Sequence, residues 1–458
     1  MVQILKSYVG LGFGDEGKGN QVDGGVAFAK SFDEGKRTVV VRFQGGPNAG
    51  HTIYSYGLDG KLIEFITHAA PSGLIGNVDI AVGPSVAFDT EKFINELKGA
   101  GELFRYNGRV MISERAGILF DYHRKLDVWR EMSGKKIGTT KSGIGPLYED
   151  NERRTTRITF YDYISNRFHD KLKEVLKLKK LELSAAGILE EGIDKYCEKL
   201  IAIHDPIRKE LAPFVERLEY RLREYLMNGD NIIIEGSQGT GLDVDMGSIS
   251  DVTSSHLLAP YAFASLGLPR NAFKIYGVEK VYVTRVGEGV LPTLATDGFG
   301  DIVVKNAGEF GATTRRKRRV GYPDWVFTKR SAMLNDCDGI ILTRVDVVQD
   351  LELKVCCSYD INGEIVEEVP LDLSTVKPIY KDKKFKWHLW DGPSDLSNPI
   401  DVDNQLKDKR KEYVEGGLEG LPLGLQNYIK EHDNYVGCPI IGASIGPSRG
   451  ETVFKRNV

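Results

Sequence analysis

Gly12-Phe13-Gly14-Asp15-Glu16-Gly17-Lys18-Gly19 stands between a short strand-like run, Ser7–Leu11, and a helical pattern. The Gly12…Gly17-Lys18 spacing fits the first part of a P-loop. Glycines let backbone N–H groups approach phosphate oxygens, and the N-terminus of the following helix favours negative charge. Lys18 adds a point charge for a terminal phosphate. A P-loop has Ser or Thr after the lysine to hold Mg²⁺, and here that residue is Gly19. Another group must hold the metal, and Asp15 lies inside the loop. A carboxylate beside a nucleoside triphosphate can be a metal ligand, a base, or both. The blander reading is a glycine-rich turn with a surface Asp-Glu pair.

Outward from this loop, strand-like runs alternate with helical patterns. Arg37–Phe43 is followed by a second glycine loop, Gln44–His51. Val78–Val82, Arg109–Ser113, Asn231–Glu235, Val281–Arg285 and Gly339–Val345 are further strand candidates. Near-continuous apolar strands with long crossovers predict an α/β fold. The expected architecture is a large, mostly parallel central sheet with helices on both faces, P-loop-NTPase-like, with helical and loop insertions. One domain spans 1–458. Within it, about 162–229 reads as helical, with Val215, Leu218, Leu222, Tyr225 and Leu226 on one face and a stop at Asn228-Gly229. That stretch suits either a lobe packed on the sheet or a dimer surface. About 377–409 turns polar and reads as a surface insertion.

Composition narrows the classes of function. With 61 Lys+Arg against 65 Asp+Glu, the net charge of -4 argues against a nonspecific nucleic-acid binder. The five cysteines show no CxxC spacing, which fits a reducing compartment and no structural zinc. Met1–Leu11 reads as a first strand, not a signal peptide, and no apolar run of roughly 18 residues predicts a membrane span. A cytoplasmic location is the expectation.

The second loop, Gln44-Gly45-Gly46-Pro47-Asn48-Ala49-Gly50-His51-Thr52, also follows a strand. A histidine there can donate to a phosphate or an oxyanion, although a lone histidine is often structural. The two loops together, GDEGKG at Gly14–Gly19 and NAGHT at Asn48–Thr52, resemble the signature loops of the adenylosuccinate synthetase family. The resemblance runs from roughly Tyr8 to Thr452. It includes Gly138-Thr139-Thr140, Gly143–Pro146, Tyr148-Glu149-Asp150, Glu235–Thr240, Val252–Ser255, Thr284–Gly287, Glu309–Thr314, Leu342–Asp346 and Gly446-Pro447.

The resemblance implies a ligase that joins IMP to L-aspartate using GTP and Mg²⁺. The 6-oxygen of IMP is phosphorylated, and the aspartate amine then displaces that phosphate. Asp15 matches the base that takes the N1 proton and also contacts Mg²⁺, with the Gly50 carbonyl as a second metal ligand. His51 matches the catalytic histidine, and Lys18 the loop lysine near the γ-phosphate. Gly14, Glu16, Gly17, Lys18 and Gly19 match the nucleotide loop. Asn48, Thr140, Gln238, Thr253 and Arg316 match IMP-binding positions. Arg154 matches an arginine that reaches the IMP phosphate of a neighbouring subunit, implying a homodimer.

The run Arg315–Arg319 reads by itself as a solvated basic loop or a nucleic-acid patch. The resemblance implies instead a loop that clamps aspartate carboxylates with Thr314, Arg316 and Arg318, for which guanidinium forks are suited. Nucleic acid is then not an expected partner. Asp346 matches a guanine-reading carboxylate, which can accept the two N–H donors on that base. Arg344, Ser444 and Gly446 match its neighbours.

The chain departs from the family pattern at Leu11-Gly12-Phe13 and Asn20, at Lys141-Ser142, at Arg315 where glycine is usual, at Arg344 where lysine is usual, and at Ser448. These changes gather around the base and the aspartate loop. The alternative they keep open is the same chemistry on dGMP, or with ATP as donor, as in a phage-type branch of the family. That branch typically lacks the catalytic aspartate, whereas Asp15 is present.

Overall fold

A computed structural model describes residues 3–32, 35–134, 138–248, 251–285, 289–310, 317–391, 396, 399–448 and 450–456; for 399–405 and 407 it describes the backbone only. The core of the fold is an eleven-stranded sheet. Eight of its strands are labelled here: β1 (Leu5–Gly10), β2 (Thr38–Gly45), β3 (Asp79–Phe88), β4 (Val110–Ser113), β5 (Asn231–Gly239), β6 (Lys274–Lys280), β7 (Gly339–Thr343) and β8 (Ile440–Ser444). Their order across the sheet is β8-β7-β6-β1-β5-β2-β3-β4, and every neighbouring pair is parallel. Val215–Glu216 extends the β4 edge in parallel, Gly117–Ile118 pairs with β3, and Thr452–Phe454 closes the β8 edge antiparallel.

Both faces of the sheet are covered, which is why its strands read as unbroken apolar runs. Val39, Val41, Ile232 and Ile234 pack on one face with Leu218, Leu222, Ala262 and Phe263 from two helices. Val40 and Ile233, one residue out of step, pack on the other face with Val22 and Val26 of helix α1 (Lys18–Phe32). Successive side chains of a strand point to opposite faces, so the alternation is the pleat itself.

The helical block takes shape as Phe160–Ile164, Phe168–Leu178, Lys180–Ala185, Ile193–Leu211 and Leu218–Met227. Its apolar face, including Phe168, Leu172, Leu176, Leu183 and Leu200, is buried in a core shared with β3 and β4. Val215 falls outside the helical face expected for it. It lies in the short strand opposite Ile112, and the helix starts at Leu218. The polar stretch 377–409 carries the strand Lys377–Tyr380 and buries Phe385, Trp387, Leu389 and Trp390 in the core beneath β7 and β8. Full burial of such side chains stabilises by roughly 1.5–3 kcal/mol each.

The expected strand Val281–Arg285 is corrected by the structure. The sheet strand is β6, Lys274–Lys280, while Val283–Arg285 forms a separate two-stranded ribbon with Arg319–Gly321. Charged residues disguised β6, because Glu279 and Lys280 are buried yet paired with other side chains. A hairpin of His51–Tyr56 and Leu62–Thr67 was also not apparent in the sequence.

Candidate active site

One cavity of about 840 Å³ opens at the carboxyl ends of these strands, where ligands bind in open parallel sheets. Both glycine loops line it: Gly14 to Gly19 from the turn between β1 and α1, and Asn48, Gly50 and His51 from the turn after β2.

The first loop turns sharply. Gly14, Asp15 and Gly17 have φ of 94°, 63° and 93°. Glycine enters that region freely and aspartate is among the few side chains that tolerate it. The Glu16 side chain folds back into the loop, accepting from Gly12 N at 3.1 Å and Gly14 N at 2.7 Å. It also takes the Lys18 ammonium at 2.5 Å, and both side chains are buried. Burial pushes the Glu16 carboxyl up, but Lys18 and these donors hold it below its usual range. The Thr343 hydroxyl at the end of β7 donates to the Glu16 carbonyl at 2.8 Å, tying the loop to the sheet.

The missing P-loop hydroxyl has a steric cause. A Cβ on Gly19 would stand 2.9 Å from the His51 Cβ and 3.3 Å from Ser72 Oγ. The second loop takes up the space that Ser or Thr would need.

His51 is 6% exposed and is held from behind. Its Nδ1 bonds the Glu235 carboxylate and lies 3.1 Å from Arg42 Nη2; its Nε2 lies 3.0 Å from the Ser237 carbonyl. Glu235 is fully buried and accepts from Ser72 N at 2.7 Å, Ser72 Oγ at 2.6 Å and Arg42 at 3.0 Å. Burial raises the Glu235 pKa, but Arg42 and then His51 draw it far below the carboxylate range. Burial and then Arg42 lower the His51 pKa against the pull of Glu235. An anionic phosphoryl group beside the ring would offset Arg42 and raise its proton affinity.

The far end of the cavity is built from Arg344, Asp346, Ser444 and Gly446. Asp346 is 4% exposed, and its Oδ1 has no hydrogen-bond partner among the described residues. Burial pushes its pKa up, with Arg344 and Arg410 opposing. A buried, unsatisfied carboxylate costs free energy until donors arrive. Ser444 Oγ donates to the Gly446 carbonyl at 2.9 Å, and a Cβ on Gly446 would meet Glu451 at 2.3 Å.

Asn48, Thr140, Gln238 and Thr253 line the middle of the cavity. Asn48 Oδ1 and both amide atoms of Gln238 are likewise buried without a partner among the described residues. Thr140 lies in the loop preceding helix α2 (Ile144–Glu152), whose Tyr148 hydroxyl accepts from Gly45 N at 3.1 Å. Arg154 lies just past α2, exposed with φ of 62°, and does not line the cavity.

Arg318 lines the cavity with its Nε 2.8 Å from Asp15 Oδ2, and its Nη1 bonds the buried Glu309. Lys317 pairs with Asp301 at 2.9 Å and Arg319 donates to the Gly289 carbonyl, so the described cations of this run are all tied within the protein. Thr314, Arg315 and Arg316 lie outside the described residues.

Sequence reading missed Arg42, Glu235 and Ser72 behind His51, and Lys280 and Glu309 beside Arg318. The motif opening at Glu235 was visible, but its role depends on register. Arg42 of β2 is opposite Glu235 of β5, a pairing no local pattern reveals.

Residues 8–453 match the family model described as adenylosuccinate synthetase. An adenylosuccinate synthetase of Geotalea uraniireducens is 36% identical over 466 residues, covering 98% of each chain. One from Chlorobaculum tepidum is 36% identical over 458 residues, covering 98% of this chain and 96% of the other. The fully ligated adenylosuccinate synthetase of Plasmodium falciparum superposes with a TM-score of 0.81 at 27% identity, covering 99% of this chain and all of that one. A succinoaminodeoxyadenylate synthetase of cyanophage S-2L, bound to dGMP and dATP, shares the fold with a TM-score of 0.61 at 15% identity, covering 99% and 96%.

Proposed function

The chain belongs to the adenylosuccinate synthetase family, and from that premise we propose how its residues divide the GTP-dependent ligation of IMP and L-aspartate. One observation carries the reading: Asp15, Lys18, His51 and Asp346 line a single cavity whose buried polar atoms on Asn48, Gln238 and Asp346 lack partners among the described residues.

Asp346 accepts the guanine N–H donors and Arg344, Ser444 and Gly446 frame the base. The loop amides from Asp15 to Gly19 and the Lys18 ammonium receive the phosphates, while Glu16 holds the Gly14 N–H. Asn48, Thr140, Gln238 and Thr253 hold IMP. Asp15 takes the N1 proton, so the electron pair of the lactam moves to the 6-oxygen. That oxygen attacks the γ-phosphorus, and GDP leaves. His51 donates to the phosphoryl oxygens as charge develops, held in place by Glu235. The aspartate amine then adds at C6 and phosphate departs, giving adenylosuccinate. Thr314, Arg316 and Arg318 bind the aspartate, with Arg316 shared with IMP.

The donor set suits Mg²⁺. The Asp15 carboxylate and the Gly50 carbonyl are hard oxygen donors on the same cavity. No cluster of three or more His, Cys, Asp or Glu among the described residues forms a metal cage. Mg²⁺ commonly takes one or two protein ligands and completes its shell with phosphates and water. When bound it would neutralise triphosphate charge.

The family resemblance assigns Arg154 to the IMP phosphate of a neighbouring subunit, and its exposure outside its own chain's cavity supports a homodimer as the working unit. No described helix is long and apolar enough to cross a membrane, and cytoplasmic placement is part of the same proposal.

The presence of Asp15 and the likeness over 98% of the chain to relatives named adenylosuccinate synthetase favour IMP and GTP over the dGMP or ATP alternative. The test is Asp15→Ala. The variant should fold and bind GTP yet form no adenylosuccinate; retained turnover removes Asp15 from the role of base.

A further inference from the structure

Glu309 has no place in the roles assigned above, yet three side chains converge on its carboxylate beside the cavity. Its side chain is fully buried. One oxygen accepts from Lys280 Nζ at 2.8 Å and from the Tyr282 hydroxyl at 2.6 Å. The other oxygen takes Arg318 Nη1, and the Arg318 backbone N–H donates to the Glu309 carbonyl at 3.0 Å. Arg318 is therefore tied to residue 309 through both its side chain and its main chain.

The opposite side of the same guanidinium is held differently. Arg318 Nε lies 2.8 Å from Asp15 Oδ2, but its N–H is not aimed at that oxygen and makes no hydrogen bond among the described residues. A charge contact without hydrogen-bond geometry is weak beside a charge-assisted bond. Glu309 fixes the orientation of the guanidinium by a directed bond, whereas Asp15 attracts it by charge without fixing it. Arg318 thus lines the cavity with its Nε–H, a donor that an incoming anion can satisfy.

We propose that Glu309 is a positioning residue for the ligation, seating Arg318 so that its guanidinium meets a carboxylate of the amino-acid substrate. This rests on the assignment of Arg318 to aspartate. Lys280 and Tyr282 complete the seat by fixing the Glu309 carboxylate from the other side. A buried anion shared by two cations leaves a repelling pair when it is neutralised. Glu309→Gln thus removes the seat and sets Lys280 against Arg318.

The experiment measures KM for aspartate, IMP and GTP separately, with kcat, for Glu309→Gln, Glu309→Asp, Arg318→Ala and the double variant Glu309→Gln/Arg318→Ala. Glu309→Gln should raise the aspartate KM about 30-fold and leave the IMP and GTP KM within about twofold. Glu309→Asp, which keeps the charge, should recover most of the loss. The double variant should be no worse than Arg318→Ala, because both changes break one arrangement. Equal loss for all three substrates, or no rescue by Asp, shows a general structural role and overturns the inference. A normal aspartate KM in Arg318→Ala overturns the assignment of Arg318 itself. Impaired Arg318→Ala beside normal Glu309→Gln overturns the inference alone. Should Glu309→Gln fail to fold, Tyr282→Phe takes its place. It removes one donor to the same carboxylate, and a rise of about threefold confined to aspartate is expected; an unchanged aspartate KM overturns the inference.

Discussion

Glu235 on β5 stands opposite Arg42 on β2, and Arg42 Nη2 donates to Glu235 Oε1 at 3.0 Å with both side chains fully buried. The pair lies under His51 and turns sheet register into ring orientation. It makes the orientation of the His51 ring a property of the sheet, not of one loop.

Glu235→Gln should therefore damage both stability and turnover. It leaves the buried Arg42 without its anion, which costs about 3–5 kcal/mol. It also loosens the imidazole, and kcat should fall about 10²-fold with the IMP KM little changed. Urea unfolding and steady-state kinetics on the same preparation check the two effects. A variant as active as the parent would show that His51 needs no support.

Asp346→Asn should change which donor is used. An amide can still accept one N–H but now also presents its own, so guanine loses part of its match. The preference for GTP over ATP should shrink by about 10²-fold, mostly through the GTP KM. Competition assays with the two triphosphates give the ratio. An unchanged ratio places base reading elsewhere.

Stability should fall at alkaline pH through a residue outside the cavity. His432 is buried on helix α3 (Leu423–Val436), with Nε2 3.1 Å from Glu279. Burial lowers its pKa, but Glu279 overrides this and pushes it up to about 9. The folded value lies above the unfolded one of about 6.5, so its contribution is complete below pH of about 6.5 and is lost as pH rises towards 9. Lys280, drawn down to about 8 by burial, acts in the opposite sense over an overlapping range. The comparison with His432→Gln isolates the histidine. The gap in melting temperature between parent and variant should narrow from pH 6 to pH 9.5; a constant gap rules the linkage out.

Much of this was legible in the residues. The glycine loops, the covered strands and the motif order led to the fold and to most of the cavity lining. The misses share a cause. Strand β6 reads Lys-Ile-Tyr-Gly-Val-Glu-Lys, and Glu279 and Lys280 look like surface residues until Thr328, His432 and Glu309 are seen to satisfy them. Buried charges are recognised by their partners, and those partners lie up to 153 positions away. The same holds for Glu235 and Arg42. Trp387 and Trp390 were hidden by the polar turns around them. The cause of Gly19, the space taken by His51, could be read only in three dimensions.

Removing divalent metal should separate binding from chemistry. With chelator present, turnover should stop while IMP still protects the protein from thermal unfolding, because Asn48, Thr140, Gln238 and Thr253, the residues proposed to hold IMP, are not proposed metal ligands. Thermal shift measurements with IMP alone, with and without chelator, check this. Loss of IMP protection on chelation would place the metal in the IMP subsite.

The most direct measurement is a product assay by chromatography and mass. The protein is given L-aspartate and Mg²⁺ with IMP or dGMP, each crossed with GTP or ATP. The account predicts adenylosuccinate from IMP with GTP, and little or nothing from the other three combinations. Product from dGMP alone, or only with ATP, would contradict the assigned substrates while keeping the chemistry. No product in any combination would contradict the central claim that Asp15 and His51 form a working ligase site.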